Sequence, residues 1–399
     1  MTAQDIPKTG LTSGLQSLDA SKTRFTRSEI LRPVPEPGSA ELWAQNASSD
    51  HMVTVRWTDT GGWEAPELKP FGDFTISPLA SALHYATQCF EGMKVYRGHD
   101  GKLRLFRPVL NAQRLRMSAM RISLPDFDAA EMVKLIEILM QVDGERWLPK
   151  DKPGNFLYLR PAMIGTGRQI GVQLPREAVL FIVAVAWPDF SCENPPGNPL
   201  SRKGLRLITS QEDSIRAWPG GFGYAKVGAN YGPSFLLHGL AVKAGYDQIL
   251  WLFGPDGQVT EAGSSNFFVV MKDASTGQVE LVTAPITDGI ILDGVTRRSV
   301  LDLARSRLRD KLVVAEKSFN MADLELAWEE GRLLEAFVSG TAFFITPVLA
   351  IKYKTRELDL GGNQDGPESS FALQIKDWLK NIMYGSDSHE WGLVIEEPK

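Results

Sequence analysis

The segment PDFSCENPPGNPLSRKG, from Pro188 to Gly204, divides the chain. Proline removes a backbone donor and fixes φ, and glycine, asparagine and serine favour turns, so neither a helix nor an interior strand runs through it. A chain broken there folds as two bodies. At 399 residues it is also longer than one core ordinarily organises. Apolar residues at 43% and charged residues at 23% give each half enough side chain for a core of its own.

Both halves read as sheets with interspersed helices, an α/β or α+β arrangement. In the first, HMVTVRW, NFLYLRPAMIG and AVLFIVAVAW read as strands, the last buried on both faces. DAAEMVKLIEILMQV reads as an amphipathic helix with Asp128 as N-cap and Glu131 three residues on. In the second, LRLITS, QILWLF, NFFVVM, VELVT and LLEAFV read as strands, and VTRRSVLDLARSRL and MADLELAWEE as helices. Residues 1–50, with RPVPEPGSAEL, resist helix and read as an extended arm. The expected order is arm 1–50, smaller domain 51–187, linker 188–204 and larger domain 205–399.

Composition excludes several function classes. A net charge of -5 with scattered lysines and arginines gives no basic footprint for nucleic acid or anionic membrane. Two cysteines, Cys89 and Cys192, exclude a disulfide scaffold, and five histidines without ligand spacing leave no expected metal site. The longest apolar run, VLFIVAVAW, is too short to span a bilayer. The N-terminus lacks an apolar h-region and is poor in arginine, which favours the cytoplasm, with the mitochondrion as alternative.

GFGYAKVGANYGPS, from Gly221 to Ser234, holds Lys226 among glycines and small residues. Lys226 fits either an ordinary solvated loop lysine or an amine kept in a poorly solvated place, where it becomes a nucleophile. A carbonyl cofactor would need further parts. One is a carboxylate for a ring nitrogen, and TEAGSSNFFVV places Glu261 at a turn before a strand, where it is equally an ordinary hairpin residue. Another is a helix N-terminus for a phosphate. LDGVTRRSV leads into a helix through Val295 and Thr296, with Thr296 as cap in the plainer reading. FVSGTAFF adds a small-residue turn with Thr341.

Together these stretches resemble the fold type IV pyridoxal-phosphate enzymes, and within them the branched-chain amino acid aminotransferases. The stretch from Glu261 through Asn266, Phe267 and Phe268, the LVT ending at Thr283, and LDGVTR to Arg297 matches the class IV aminotransferase signature. LHYATQCFEGMKVYRG, LRLFRPVLNAQRLRMSAMR, LYLRPAMIGTG, AKVGANYGPS, SGTAFFITPV and HEWGLVI are similar to the branched-chain group. The resemblance implies a two-domain fold with a small N-terminal domain and a larger C-terminal domain built on a sheet or pseudo-barrel, assembled as a homodimer.

By the same resemblance Lys226 is the Schiff-base lysine and proton shuttle of pyridoxal 5'-phosphate. Tyr231 meets the cofactor's phenolic oxygen and Glu261 its ring nitrogen. Arg114 of NAQRL, Val295, Thr296 and Thr341 bind the phosphate; Arg114 is alternatively a surface ion-pair residue. Tyr85 and Phe90 line an aromatic wall for the substrate, and Val172 packs against its branched side chain. Tyr158 and Arg160 receive the distal carboxylate of 2-oxoglutarate or glutamate; strand alternation puts them on one face. Thr341 and Ala342 offer N–H groups to the α-carboxylate. The implied activity is transamination of leucine, isoleucine or valine with 2-oxoglutarate. One departure stands out: mammalian members carry Cys-x-x-Cys where this chain has Phe343 and Thr346.

A D-amino acid transaminase or an aminodeoxychorismate lyase is the nearest alternative, and a non-catalytic binding protein the more distant one. The glycines near Lys226 do not make a dinucleotide fingerprint.

Overall fold

The computed structural model describes residues 15–190, 204–342, 344–361 and 370–398. Its contacts divide into two compact units. The first comprises Met1–Pro188, Ala225–Ala229 and Ile382–Lys399; the second comprises Asp189–Tyr224 and Asn230–Asn381. Residues 191–203 of the expected linker, and Phe343, lie outside the described residues.

The first unit is built on a ten-stranded sheet. Its main path runs Arg24–Phe25, Glu67–Pro70, Ser48–Thr58, Glu177–Ala186, Phe156–Gly165, Met93–Arg97, Leu103–Phe106 and Gly392–Ile395. Gln88–Phe90 and Met93–Arg97 both pair antiparallel with Phe156–Gly165, so Glu91 and Gly92 fall in a break along one sheet line. The Glu177–Ala186 strand differs from its expected burial: buried and half-buried residues alternate, as they do in a sheet covered more heavily on one side.

The Ala129–Trp147 helix starts where the sequence placed it, with the Asp128 carboxylate accepting from Ala130 N–H. Glu131 does not turn back to the cap; its carboxylate accepts from Ala20 N–H at 2.7 Å and so ties the arm to the helix. Met132, Leu135, Ile136, Leu139 and Met140 form its fully buried stripe, each contributing about 1.5–3 kcal/mol. The arm is not uniformly extended. Ala40–Trp43 forms one helical turn because the Ser39 side chain accepts from Leu42 N–H.

The C-terminal tail closes the last edge of this sheet. Gly392–Ile395 pairs with Leu103–Phe106, and Glu397 takes both terminal nitrogens of the fully buried Arg97, at 2.6 and 2.8 Å.

The second unit holds a nine-stranded sheet. Part of it closes on itself in the order Gln258–Ala262, Gln248–Phe253, Leu205–Thr209, Phe344–Tyr353, Leu333–Gly340 and Ser265–Lys272, which pairs back to Gln258–Ala262. This closed ring is the expected pseudo-barrel, and closure leaves those strands no free edge. Every residue of Ser265–Lys272 but the last is buried. The Phe268 and Phe337 rings stack across the sheet, centroids 4.9 Å apart. Phe267, Val269, Val338 and Ile351 share a core with Met321, Leu324 and Ala327 of the Met321–Glu329 helix. That helix begins with a reciprocal Asn320–Asp323 capping box.

Candidate active site

The Lys226 segment is counted with the first unit although its flanks belong to the second. Its backbone is held on both sides of the Cα: Lys226 N–H donates to Ser118 Oγ at 2.8 Å, and Lys226 C=O accepts from Phe90 N–H at 3.1 Å. Ala225 and Val227 are buried, and Val227 bridges to Cys89. The side chain is half-buried, its ammonium 5.0 Å from the centre of the Phe90 ring. Gly228 lets the Gln88 side chain approach, since a Cβ there would stand 2.5 Å from its amide nitrogen.

The Pro108–Arg121 helix supplies the other wall. Its 3.6-residue period brings Asn111, Arg114 and Ser118 to one face. Asn111 and Arg114 both turn to Glu91, which is fully buried. Arg114 Nε lies 2.7 Å from Oε1 and Nη2 2.9 Å from Oε2, while Asn111 Nδ2 donates to Oε2 at 2.8 Å. Arg114 is therefore no surface ion-pair residue; its charge is fixed inside the unit. The helix starts at Arg107, whose N–H bonds Trp391 C=O at 2.8 Å and whose guanidinium lies 4.2 Å from the Trp391 ring centre. That contact gives HEWG its role.

Phe90 also faces Arg160, whose guanidinium carbon lies 4.8 Å from the Phe90 ring centre and 5.4 Å from that of Tyr158. Among the described residues the buried Arg160 Nε has no hydrogen-bond partner. Tyr158 stacks on Trp187, centroids 4.7 Å apart, and its hydroxyl fills the space a Cβ on Gly92 would need. The structure thus gathers Phe90, Tyr158, Arg160 and Lys226. Tyr85 and Val172 stand apart from this group at the surface, 42% and 86% exposed, with the Tyr85 hydroxyl donating to Ile170 C=O.

In the second unit Glu261 lies within the Gln258–Ala262 strand, not at the turn, and is buried. Oε1 accepts from Leu292 N–H at 3.0 Å and from Asn266 Nδ2 at 3.2 Å, and Oε2 pairs with the guanidinium of Arg216. Two N–H donors and the Arg216 guanidinium thus face this carboxylate.

The Val295–Arg307 helix is capped by Gly294, not Thr296, and Gly294 offers its first turn no side-chain acceptor. A Cβ on Gly294 would collide with Asn266 Oδ1, so the helix start sits against the residue that holds Glu261. Arg297 anchors that start to Glu316 at 2.7 Å and Ala284 C=O at 2.9 Å. An uncapped N-terminus of this kind takes an anion readily.

Thr341 and Ala342 are half-buried after the Leu333–Gly340 strand. Gly340 packs on Ser265, next to Asn266. Tyr231 is half-buried at the N-cap of the Gly232–Lys243 helix.

Sequence reasoning missed Arg216, Glu91, Asn111 and Ser118 as members of these groups. The 111–114–118 spacing was a readable signal; nothing local marks Arg216. Cys89 is no candidate nucleophile: burial, then the nearby Glu91 charge, push its thiol far above the ordinary range. Among the described residues no cluster of side chains could hold a metal, and no helix is long and apolar enough to cross a membrane.

The family model for class IV amino-transferases matches residues 88–351. The cytosolic branched-chain-amino-acid aminotransferase of Saccharomyces cerevisiae is 41% identical over 390 residues, covering 96% of this chain and 99% of its own. The mitochondrial one of Rattus norvegicus is 40% identical, covering 98% and 94%. Among solved structures, the branched-chain amino acid aminotransferase of Thermobaculum terrenum in its PLP-form shares the fold. It superposes with a TM-score of 0.64 at 24% identity, over 86% of this chain and 98% of that one.

Proposed function

This chain belongs to the class IV aminotransferases and, within them, to the branched-chain amino acid aminotransferases, and from that premise we propose how its residues carry the reaction. The enzyme transaminates branched-chain amino acids with pyridoxal 5'-phosphate as cofactor; we take 2-oxoglutarate as the acceptor, giving glutamate.

The residues present fit that cofactor: a half-buried amine, a buried carboxylate held by three donors, and a helix start without a side-chain cap. When bound, the cofactor supplies an aldehyde that captures amines and a cationic ring that draws electron density from the adjacent carbon. Lys226 Nζ would hold the cofactor at its aldehyde carbon and, as a base, would take the proton from the substrate Cα and hand it back. The aromatic face of Phe90 limits water around Nζ. Glu261 keeps a proton on the ring nitrogen through its charge. Arg114, Thr341 and the N–H groups of Val295 and Thr296 bind the phosphate, and Tyr231 donates to the phenolic oxygen. The Thr341–Ala342 turn offers N–H groups to the α-carboxylate.

The observation that carries this reading is a single ring, Phe90, lying against both the Lys226 ammonium and the Arg160 guanidinium. An apolar surface suits the branched side chain, and the Arg160 Nε, buried without a partner among the described residues, suits the distal carboxylate of the second substrate. Tyr158 adds a hydroxyl on the same face.

We also infer a homodimer. The Gly232–Lys243 helix exposes Phe235, Leu236, Leu240 and Val242, and Val172 and Ile170 are exposed beside Tyr85. A second copy covering these apolar side chains accounts for them. The working compartment is one of the two named for the relatives, cytosol or mitochondrion.

The test is purified protein loaded with pyridoxal phosphate, given L-leucine and 2-oxoglutarate beside a panel of D-amino acids. Glutamate formed from the branched L-amino acids alone is expected; activity confined to D-amino acids would overturn the assignment. Light scattering on the same sample reads the dimer, and a monomer mass would remove that part.

A further inference from the structure

Ser118 is a fully buried hydroxyl with no part in the reaction as described so far. Its Oγ accepts the backbone N–H of Lys226 at 2.8 Å, across 108 residues of sequence. It lies on the Pro108–Arg121 helix, four residues beyond Arg114 and on the same face. Four residues of helix advance roughly 6 Å along the axis. One helix turn therefore carries the arginine assigned to the phosphate and the anchor of the lysine that meets the aldehyde.

We propose that Ser118 is a positioning residue for Lys226, fixing the height of its peptide against the helix that bears Arg114 and so the reach of Nζ. The inference rests on the assignment of Lys226 made above. Three features support it. The Lys226 N–H donates to a side-chain hydroxyl from a distant helix. On the other side of the Lys226 Cα its C=O accepts from Phe90 N–H at 3.1 Å, so Ser118 completes a two-sided grip on the residue. And Arg114 is itself immobilised, because Glu91 holds it at both carboxylate oxygens. A rigid reference on the helix is useful only if the lysine is tied to it. Ser118→Ala removes that acceptor from the Lys226 N–H, while Phe90 N–H still donates to the Lys226 carbonyl.

The experiment compares wild type, Ser118→Ala and Ser118→Thr. In the holoenzyme, the single-turnover rate with L-leucine is expected to fall about tenfold in Ser118→Ala, while the leucine concentration giving half-maximal rate changes less than about threefold. Ser118→Thr, which keeps the hydroxyl, is expected to recover most of the rate. In the cofactor-free chain, amide hydrogen exchange at Lys226 is expected to speed up about tenfold or more in Ser118→Ala only, with the Ala129–Trp147 helix unchanged. Wild-type rate and wild-type exchange in Ser118→Ala would overturn the proposal. If Ser118→Ala does not fold, the threonine variant decides: a rate as low as that expected for alanine, with Lys226 exchange still slow, overturns it equally. Borohydride reduction of wild-type holoenzyme and peptide mapping separate the two readings. A pyridoxyl group absent from Lys226 ends the lysine assignment whatever Ser118 does.

Discussion

Arg114 grips Glu91 at both oxygens, Nε 2.7 Å from Oε1 and Nη2 2.9 Å from Oε2, inside the first unit, with Glu91 fully buried and the Arg114 side chain 9% exposed. Such a pair is costly to break from one side, because the remaining charge stays buried. Glu91→Ala is therefore expected to lower stability by about 3–5 kcal/mol, read from urea unfolding of the cofactor-free chain. An unchanged midpoint would show that the Arg114 charge has another counterweight.

In the second unit Arg216 pairs with one oxygen of the buried Glu261, Oε2. With Arg216→Met, Leu292 N–H and Asn266 still hold Oε1, so the carboxylate stays in place with weaker support for its charge. Turnover is expected to drop about tenfold, the factor given by roughly 1.4 kcal/mol of lost charge stabilisation. Steady-state rates at saturating substrates check this, and wild-type turnover would remove Arg216 from the site.

For Arg160→Met the expected loss is asymmetric. A hydrogen bond to a charged group contributes about 1.5–3 kcal/mol, so KM for 2-oxoglutarate rises about 10- to 100-fold. KM for leucine, which offers no distal carboxylate, changes little. Equal increases for both substrates would place Arg160 on the shared α-carboxylate instead.

The tail contact is testable apart from the chemistry. Glu397→Ala leaves the buried Arg97 guanidinium with only the Leu148 and Gly101 carbonyls at 2.6 Å and the more distant Gly144 carbonyl. A loss of about 3–5 kcal/mol in unfolding free energy is expected, and deletion of the last three residues should reproduce it. A tail-deleted chain as stable as the full one would make the contact incidental.

Much of this architecture could be read from the amino acids because local pattern and final environment agree. Ser265–Lys272 is a continuous apolar run and becomes a buried strand of a closed ring; the Ala129–Trp147 helix carries its cap and its stripe in plain sequence. Lys226 and Glu261 were legible through the company they keep in long spaced motifs. Partners separated by long stretches of chain were not. Nothing in NAQRLRMSAMR says that Ser118 meets residue 226, and nothing near Arg216 points to residue 261, because those contacts are made by tertiary folding alone. Burial was misjudged for AVLFIVAVAW for a related reason: an apolar run states what a strand tolerates, not how thickly each face is covered.

The five residues Ala225–Ala229 belong by contact to one body and by covalent connection to the other. Cutting the gene at the proline-rich joint would give one fragment that owns the Ser118 and Phe90 anchors and another that owns the amine they hold. Neither piece could be lent to a different protein with its chemistry intact.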